Sequence, residues 1–159
     1  MPDSPFNSPL ETGLRALTVL NAIYPQASDI QRLMTYDYLL VHSADADGPE
    51  SLHPGIPQRN GELLVRHALV QNGLYLLLSR NLIERIPEES GIAYRAMDEA
   101  QSFLDNLSSD YMRGLRSRAD WIAITFGEMT DQELGAFIGQ RFAKWTTEFQ
   151  SLELAGDAI

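Results

Sequence analysis

The sequence contains no cysteine and no long apolar stretch. Without cysteine, a disulfide framework and every metal site with thiolate ligands are excluded. The longest uninterrupted apolar run is the five residues Leu74–Leu78, whereas a membrane-spanning helix needs about 20. The N-terminus also lacks the charged and apolar regions of a secretory signal peptide. We therefore expect a cytoplasmic protein that does not cross a membrane.

Positive charge is also scarce. The chain has 12 Lys and Arg against 22 Asp and Glu, a formal net charge of −10, and each third of its length is negative. A protein that binds nucleic acid by itself normally carries a basic patch, so this balance disfavours that class. Eleven of the 12 basic residues are arginine, the cation best suited to planar pairing with a carboxylate at an interface.

The length of 159 residues is sufficient for one domain with its own hydrophobic core. Neither an internal repeat nor a low-complexity linker divides the chain. We predict a single domain over residues 1–159, with an ordered core of about 6–150 and frayed tails.

Two helix-start patterns open the chain. Ser8-Pro9-Leu10-Glu11 offers a capping serine, a proline at the first helical position and a glutamate that can reach back to the cap. It predicts a helix up to Ile23, because Pro25 prevents continuation. Ser28-Asp29-Ile30-Gln31 is a second capping pattern, and it predicts a helix to about Ser43.

The segment Ser43–Asn60 interrupts this periodicity and holds three of the eight prolines. Loops of this length are uncommon inside compact domains and are often functional. We expect the segment to be ordered and to contact a partner through Glu50, His53 and Arg59. The alternative is that Glu50 pairs with Arg59 and His53 stacks beneath the loop, which then only covers the core.

A hairpin is predicted in the second half of the chain. Helical periodicity returns at Gly61–Arg66 and again at about Leu69–Asn81, and Gly73 is a candidate break in it. Two short alternating segments, Leu82–Ile86 and Ile92–Ala96, then flank a Pro-Glu-Glu-Ser-Gly turn. A small helix at about Ala100–Leu107 follows. A helix, a hairpin and a small helix in this order are typical of a winged helix-turn-helix domain.

Two more helices are predicted after this unit. The first covers Asp110–Phe126. The second begins at the capping pattern Thr130-Asp131-Gln132-Glu133, and its apolar face comprises Leu134, Phe137, Ile138, Phe142, Trp145 and Phe149. The predicted fold class is therefore mainly α with a small β-hairpin, a winged helix-turn-helix core with additional N- and C-terminal helices.

Catalytic motifs are missing. The sequence has no Gly-x-Ser-x-Gly, no Walker motif and no Gly-x-Gly-x-x-Gly, so we predict no catalytic residue and no cofactor. His42, Asp45 and His53 lie close together in sequence and define a weaker alternative, a metal-dependent hydrolase. Their spacing matches no known metal motif, and His42 as the cap of the second helix is the simpler interpretation.

A winged helix also suggests a DNA-binding transcriptional regulator, with Leu69–Asn81 as recognition helix. The wing tip Pro87-Glu88-Glu89-Ser90 would repel phosphates, which favours a protein partner instead. The basic cluster Arg113, Arg116 and Arg118 is flanked by Asp110 and Asp120. A solvated, self-paired helix face is the favoured interpretation of that cluster.

Four stretches of the sequence resemble one family of proteins. They are Phe6-Asn7-Ser8-Pro9-Leu10-Glu11-Thr12-Gly13-Leu14-Arg15-Ala16-Leu17, Tyr36-Asp37-Tyr38-Leu39-Leu40-Val41-His42-Ser43, Gly48-Pro49-Glu50-Ser51-Leu52-His53-Pro54 and Gly61-Glu62-Leu63-Leu64-Val65-Arg66. Together they resemble the small middle component of bacterial ABC-three-component conflict systems, which are related in organisation to Lamassu defence. The similarity extends from about Phe6 to Phe149. Two positions depart from the expected pattern, His67 in place of arginine and Asn81 in place of glycine.

The resemblance implies a non-enzymatic adaptor that links an SMC-like ABC ATPase to an effector, often a nuclease, in antiviral defence. Any DNA contact would then be made through the assembled complex. The family provides no catalytic residues to transfer. Polar and charged residues in and around the loop are the candidates for the partner interface: His42, Asp45, Glu50, His53, Arg59, Glu62, Arg66 and Arg80.

Overall fold

The computed structural model describes residues 8–53 and 62–141, and of residues 62–65 the backbone alone. Within these ranges the fold is mainly helical with a small antiparallel sheet. The helices are α1 (Pro9–Ile23), α2 (Ile30–Val41), α3 (Glu62–Ser79), α4 (Glu99–Asp105), α5 (Asp110–Phe126) and α6 (residues 131–141), and the strands are β1 (Ser28–Asp29), β2 (Ile83–Glu88) and β3 (Gly91–Ala96). A 3-10 turn, Ser43–Ala46, follows α2.

The predicted hairpin is confirmed. Strands β2 and β3 pair antiparallel from Ile83↔Ala96 to Glu88↔Gly91. Gly91 has a φ of 137°, a conformation that a residue with a side chain rarely adopts. The hairpin turn therefore depends on this glycine.

A third strand was not predicted. Ser28 and Asp29 pair with Tyr94 and Ala93, so the sheet order is β1-β3-β2. The cap of α2 is Asp29 rather than Ser28, because the Asp29 carboxylate accepts a hydrogen bond from the Arg32 amide at 2.8 Å. A two-residue strand is too short to show alternation in sequence, and its partner lies far along the chain.

The predicted serine cap of α1, the bounds of α5 and the capping pattern of α6 are confirmed. The Ser8 side chain accepts from the Glu11 amide, and α5 spans the predicted Asp110–Phe126. At the start of α6, Thr130 and Glu133 exchange side-chain and backbone hydrogen bonds, both at 3.1 Å. The predictions for Phe142, Trp145 and Phe149 and for the outer limits of the 6–150 core lie outside the described residues.

The prediction of two helical pieces, Gly61–Arg66 and Leu69–Asn81, is wrong, since α3 runs without interruption from Glu62 to Ser79 and has no break at the candidate position Gly73. Gly73 instead marks the closest approach of α3 to α1. A Cβ atom on Gly73 would lie 2.8 Å from the backbone nitrogen of Gly13. Glycine stands here because the two backbones nearly touch.

Helix α1 is central to the packing, because it contacts α2, α3, α4, α5 and β3. Its apolar residues Leu17 and Leu20 are fully buried. They belong to one continuous core that also includes Leu39, Leu40, Leu74, Leu104, Leu115 and Ile122. No helix among the described residues combines the length and apolar composition that a membrane crossing needs.

Candidate partner-binding site

Hydrogen bonds fix the path of the segment after α2 as far as His53, the last of its residues that the structure describes. Its first turn is closed by the Gly48 amide, which donates to the Ser43 carbonyl at 3.0 Å. The Ser43 hydroxyl donates to the Pro49 carbonyl at 2.8 Å. The amides of Leu52 and His53 both donate to the Val41 carbonyl at 3.0 Å, which returns the chain to the end of α2.

Helices α5 and α6 fasten this segment from outside. The Arg118 guanidinium on α5 donates to the Glu50 carbonyl at 2.7 Å. Arg141 on α6 donates to the Asp47 carboxylate at 2.6 Å. A Cβ on Gly48 would overlap the Trp121 ring, so the backbone lies directly on α5. The part of the segment in view is thus packed against the body of the protein.

Beneath the segment lies a buried charge cluster of Arg15, Asp37 and Arg66. The Arg15 guanidinium, 1% exposed, donates to the Asp37 carboxylate at 2.7 Å. Arg66 donates to the other carboxylate oxygen and lies over the Tyr38 ring. Burial alone would raise the pKa of Asp37, but the two arginine charges outweigh it and hold that pKa below its usual value. The cluster ties α1, α2 and α3 together.

Two histidines border this cluster. The His53 Nε2 lies 2.8 Å from the Tyr111 hydroxyl of α5, and the two rings are stacked. His42 is buried, and its amide donates to the Tyr38 carbonyl as the cap of α2. Burial, reinforced by the nearby Arg15, lowers the pKa of His53 from 6.5 to about 4. Both histidines are therefore packed components of the fold.

The structure brings together only some of the predicted interface residues. His42, Asp45, His53 and Arg66 all lie around the end of α2, where the Tyr38 hydroxyl donates to Asp45 at 2.6 Å. The Glu50 residue is exposed nearby. Arg80 is separate from these residues, just past the opposite end of α3. The Arg59 residue and the Glu62 side chain lie outside the described part.

The metal-hydrolase alternative finds no support in this geometry. The rings of His42 and His53 are 6.2 Å apart and perpendicular, and Asp45 accepts its hydrogen bond from Tyr38. Across residues 8–53 and 62–141, no group of three His, Asp or Glu side chains is placed to hold a metal ion.

A family model matches the chain over residues 5–148, which includes the loop, the charge cluster and the sheet. Its description is ABC-three component (ABC-3C) system Middle Component 2. The chain belongs to this family. Comparison with the curated proteins and with the solved structures gave no match. The resemblance stated from the sequence is thereby confirmed.

In this Middle Component 2 protein, sequence reasoning missed Arg15, Asp37 and Tyr111. A signal for the first two was present. Asp37 lies four residues from both Leu33 and Val41, on the apolar face of its helix. Arg15 likewise lies among the apolar residues of α1. A charged residue at such a position indicates a buried partner of opposite charge.

The predicted self-pairing of the arginine cluster on α5 of this Middle Component 2 chain holds for Arg113 alone, and the other two arginines contact different parts of the fold. Arg113 pairs with Asp110 within α5, and Arg116 donates to Asp105 of α4 at 2.8 Å. Arg118 instead fastens the loop through the Glu50 carbonyl. These contacts favour a structural use of the cluster over phosphate binding.

The His53 site makes a pH prediction. Because the folded state lowers the pKa of His53 from 6.5 to about 4, folding favours the neutral ring. Stability from this site is complete above pH 6.5 and is lost as the pH falls towards 4. The full effect is reduced by solvent at a half-buried ring, so we expect a loss of about 1–2 kcal/mol.

The test compares urea unfolding of the wild type and of His53→Phe, which keeps a stacked ring on Tyr111, at pH 7 and pH 4.5. The variant is expected to lose less stability than the wild type over this interval. Equal losses in the two proteins would contradict the assignment.

Proposed function

We propose that this protein is a non-enzymatic adaptor in a bacterial conflict system, where it links an SMC-like ABC ATPase to an effector in the cytoplasm. The observation that carries the proposal is membership of the Middle Component 2 family over residues 5–148. The polar clusters support the non-enzymatic part of the proposal. Asp37, Arg66, His42 and His53 make internal contacts that stabilise the fold.

We further propose that the core is a winged helix. Its element order, α1-β1-α2-α3-β2-β3, supports this, with β1 pairing on β3 so that β2–β3 project as the wing. Helix α3 would then occupy the position of a recognition helix.

The same arrangement raises the DNA-binding alternative, and the exposed charges weigh against it. Glu88 and Glu89 are exposed at the hairpin tip, where a wing would meet the phosphate backbone. On α3, the exposed residues include Asn72 and the half-exposed Tyr75, neither of them cationic. Arg80, just past the end of α3, and Arg85 of β2 are exposed cations, but neither lies at the acidic hairpin tip. Docking to a protein fits this surface better than docking to DNA.

The partner-facing surface proposed for the loop changes with the structure. His42 and Arg66 make internal contacts. We therefore propose that the partner is contacted by Glu50, which is exposed, together with Arg59 and Glu62, whose side chains lie outside the described part of the structure. Arg118 and Arg141 hold the backbone of the segment in place. A pre-ordered loop loses less conformational entropy when it meets a partner.

The adaptor function is tested by co-expression of the tagged chain with the ABC ATPase and the effector encoded beside it, followed by affinity purification. We expect both proteins to be retained. A chain that purifies alone, while the other two remain unassociated, would refute the adaptor function.

Charge reversal tests the loop surface. We expect Glu50→Lys with Arg59→Glu to reduce recovery of at least one partner about tenfold or more, because like charges then face each other across the interface. Glu128→Lys, a charge reversal at another exposed residue after the end of α5, is the control and is expected to assemble normally. Unchanged assembly of the double variant would remove the loop from the interface.

The DNA alternative is tested with the isolated chain. In a mobility-shift titration at low salt, where phosphate contacts are strongest, we expect no stable complex with duplex DNA. Tight, sequence-selective binding would make a transcriptional regulator the better hypothesis.

A further inference from the structure

An apolar groove of about 520 Å³ lies on the face of the protein where α1, α3 and α4 meet. It is lined by Leu10 and Leu14 of α1, by Leu76 of α3, by Leu82 and by Phe103 of α4. None of the features assigned above to the loop or to the charge cluster lies in this groove. Arg80 lines it and provides a charged group.

Two of the apolar side chains that line the groove are open to solvent, whereas Leu77 and Leu82 are buried. Leu10 is 57% exposed and Phe103 is 38% exposed. A single exposed apolar residue is normal, but two that line the same apolar, concave surface indicate a binding site. The groove therefore has the character of a surface that a further protein segment covers.

Arg80 gives the groove a charge preference. Arg80 is exposed, and the described part of the chain contains no ion-pair partner for its guanidinium. The protein has 22 acidic residues in total, yet none of those that the structure describes forms an ion pair with Arg80. A carboxylate on an incoming segment would complete the pair.

The helices that form the groove also determine which secondary structure a bound segment can have. α1, α3 and α4 satisfy their backbone groups internally, so the groove offers no strand edge for β-augmentation. An extended peptide would bring unpaired N–H and C=O groups against leucine side chains, whereas a helix bonds its own backbone.

We infer that this groove binds an amphipathic helix of a partner protein, whose apolar side chains enter between α1, α3 and α4 and whose carboxylate pairs with Arg80. The inference deepens the proposed adaptor function and rests on it. Leu10–Leu14 and Leu76–Arg80 each cover about 6 Å of helix axis. The docked contact is therefore about one turn long, with apolar side chains of the partner helix at i and at i+3 or i+4.

Because the chain has no cysteine, a single introduced thiol identifies the occupant directly. Leu10→Cys at the rim is labelled with a photo-crosslinker, in full-length protein co-purified with the ABC ATPase and the effector. The expected product is a crosslink to an amphipathic, acidic helix of one of these two proteins. The same label on Ile124→Cys, which is outside the groove, is expected to miss that helix.

Two other crosslink products would overturn the inference. A product with residues 1–7 or 142–159 of the same chain means that the groove is covered internally. A product with a second copy of the chain makes it a self-association surface. If the unmodified chain retains neither the ABC ATPase nor the effector, the adaptor function itself is refuted, and the docked helix with it. This result differs from the two crosslink products above.

Substitutions test the energetics in the same complex. Phe103→Glu and Arg80→Glu are each expected to weaken binding of the crosslinked partner about tenfold or more. Ile124→Glu adds the same group at a residue that is 85% exposed, so it is the matched control and is expected to bind normally.

Arg80→Glu changes a surface residue only, so its effect is measurable even if Phe103→Glu lowers the stability of the fold. A lysine in place of the partner's acidic residue is expected to restore binding to Arg80→Glu. Wild-type affinity in Arg80→Glu, or no restoration by the lysine, would show that the proposed ion pair does not exist.

Discussion

Replacing Asp37 by asparagine is expected to lower the free energy of unfolding by about 3–5 kcal/mol. Asp37 is 5% exposed and is the shared partner of Arg15 and Arg66. The amide would leave Arg15, itself 1% exposed, without a compensating negative charge. A buried charge that loses its partner costs far more than the intact pair contributes to stability.

The measurement is urea unfolding at pH 7, with Asp120→Asn as the control because Asp120 is exposed on α5. The control is expected to stay within about 0.5 kcal/mol of the wild type. A change of less than about 1 kcal/mol in Asp37→Asn would mean that the cluster is not a stabilising unit of the fold.

The cluster also gives the loop surface its support. Arg66 joins the first turns of α3 to α2, and His53 holds the end of the described loop on Tyr111 of α5. We therefore expect Asp37→Asn to weaken assembly only together with stability. Loss of assembly at unchanged stability would instead place Asp37 in direct contact with a partner.

The second large effect is expected for Gly73→Ala, which should lower the free energy of unfolding by about 1–3 kcal/mol. Alanine favours a helix over glycine by about 1 kcal/mol, so propensity alone predicts the opposite sign. The new Cβ would lie 2.8 Å from the Gly13 nitrogen, and this neighbour is backbone that cannot turn away. Helices α1 and α3 must move apart, which disturbs the packing of Leu74 and Leu77.

Gly135→Ala and Gly139→Ala in α6 are matched controls, because nothing lies within 4 Å of a Cβ at either position. Each is expected to raise stability by about 0.5–1 kcal/mol through helix propensity. The comparison separates steric contact from propensity. If Gly73→Ala is stabilising like the controls, α1 and α3 are not in close backbone contact.

The local features of this protein were determined by the sequence. Ser8 and Thr130 cap their helices as predicted, since a cap involves groups only three residues apart. The hairpin turn leads into β3 at Gly91, because this position has a backbone conformation that glycine adopts without strain. The family could likewise be identified from short stretches of residues.

The pairings between residues distant in sequence were decided by the tertiary structure alone. Ser28 becomes a strand residue only because Tyr94 is beside it, and Gly73 lies within α3 as a contact with Gly13 rather than a break. Arg15 meets Asp37 through the packing of α1 on α2, so helical periodicity indicated a buried charge but not its partner. The groove beside Arg80 depends on three helices at once. Sequence patterns report neighbours within one element, whereas these features arise from the relative positions of several elements.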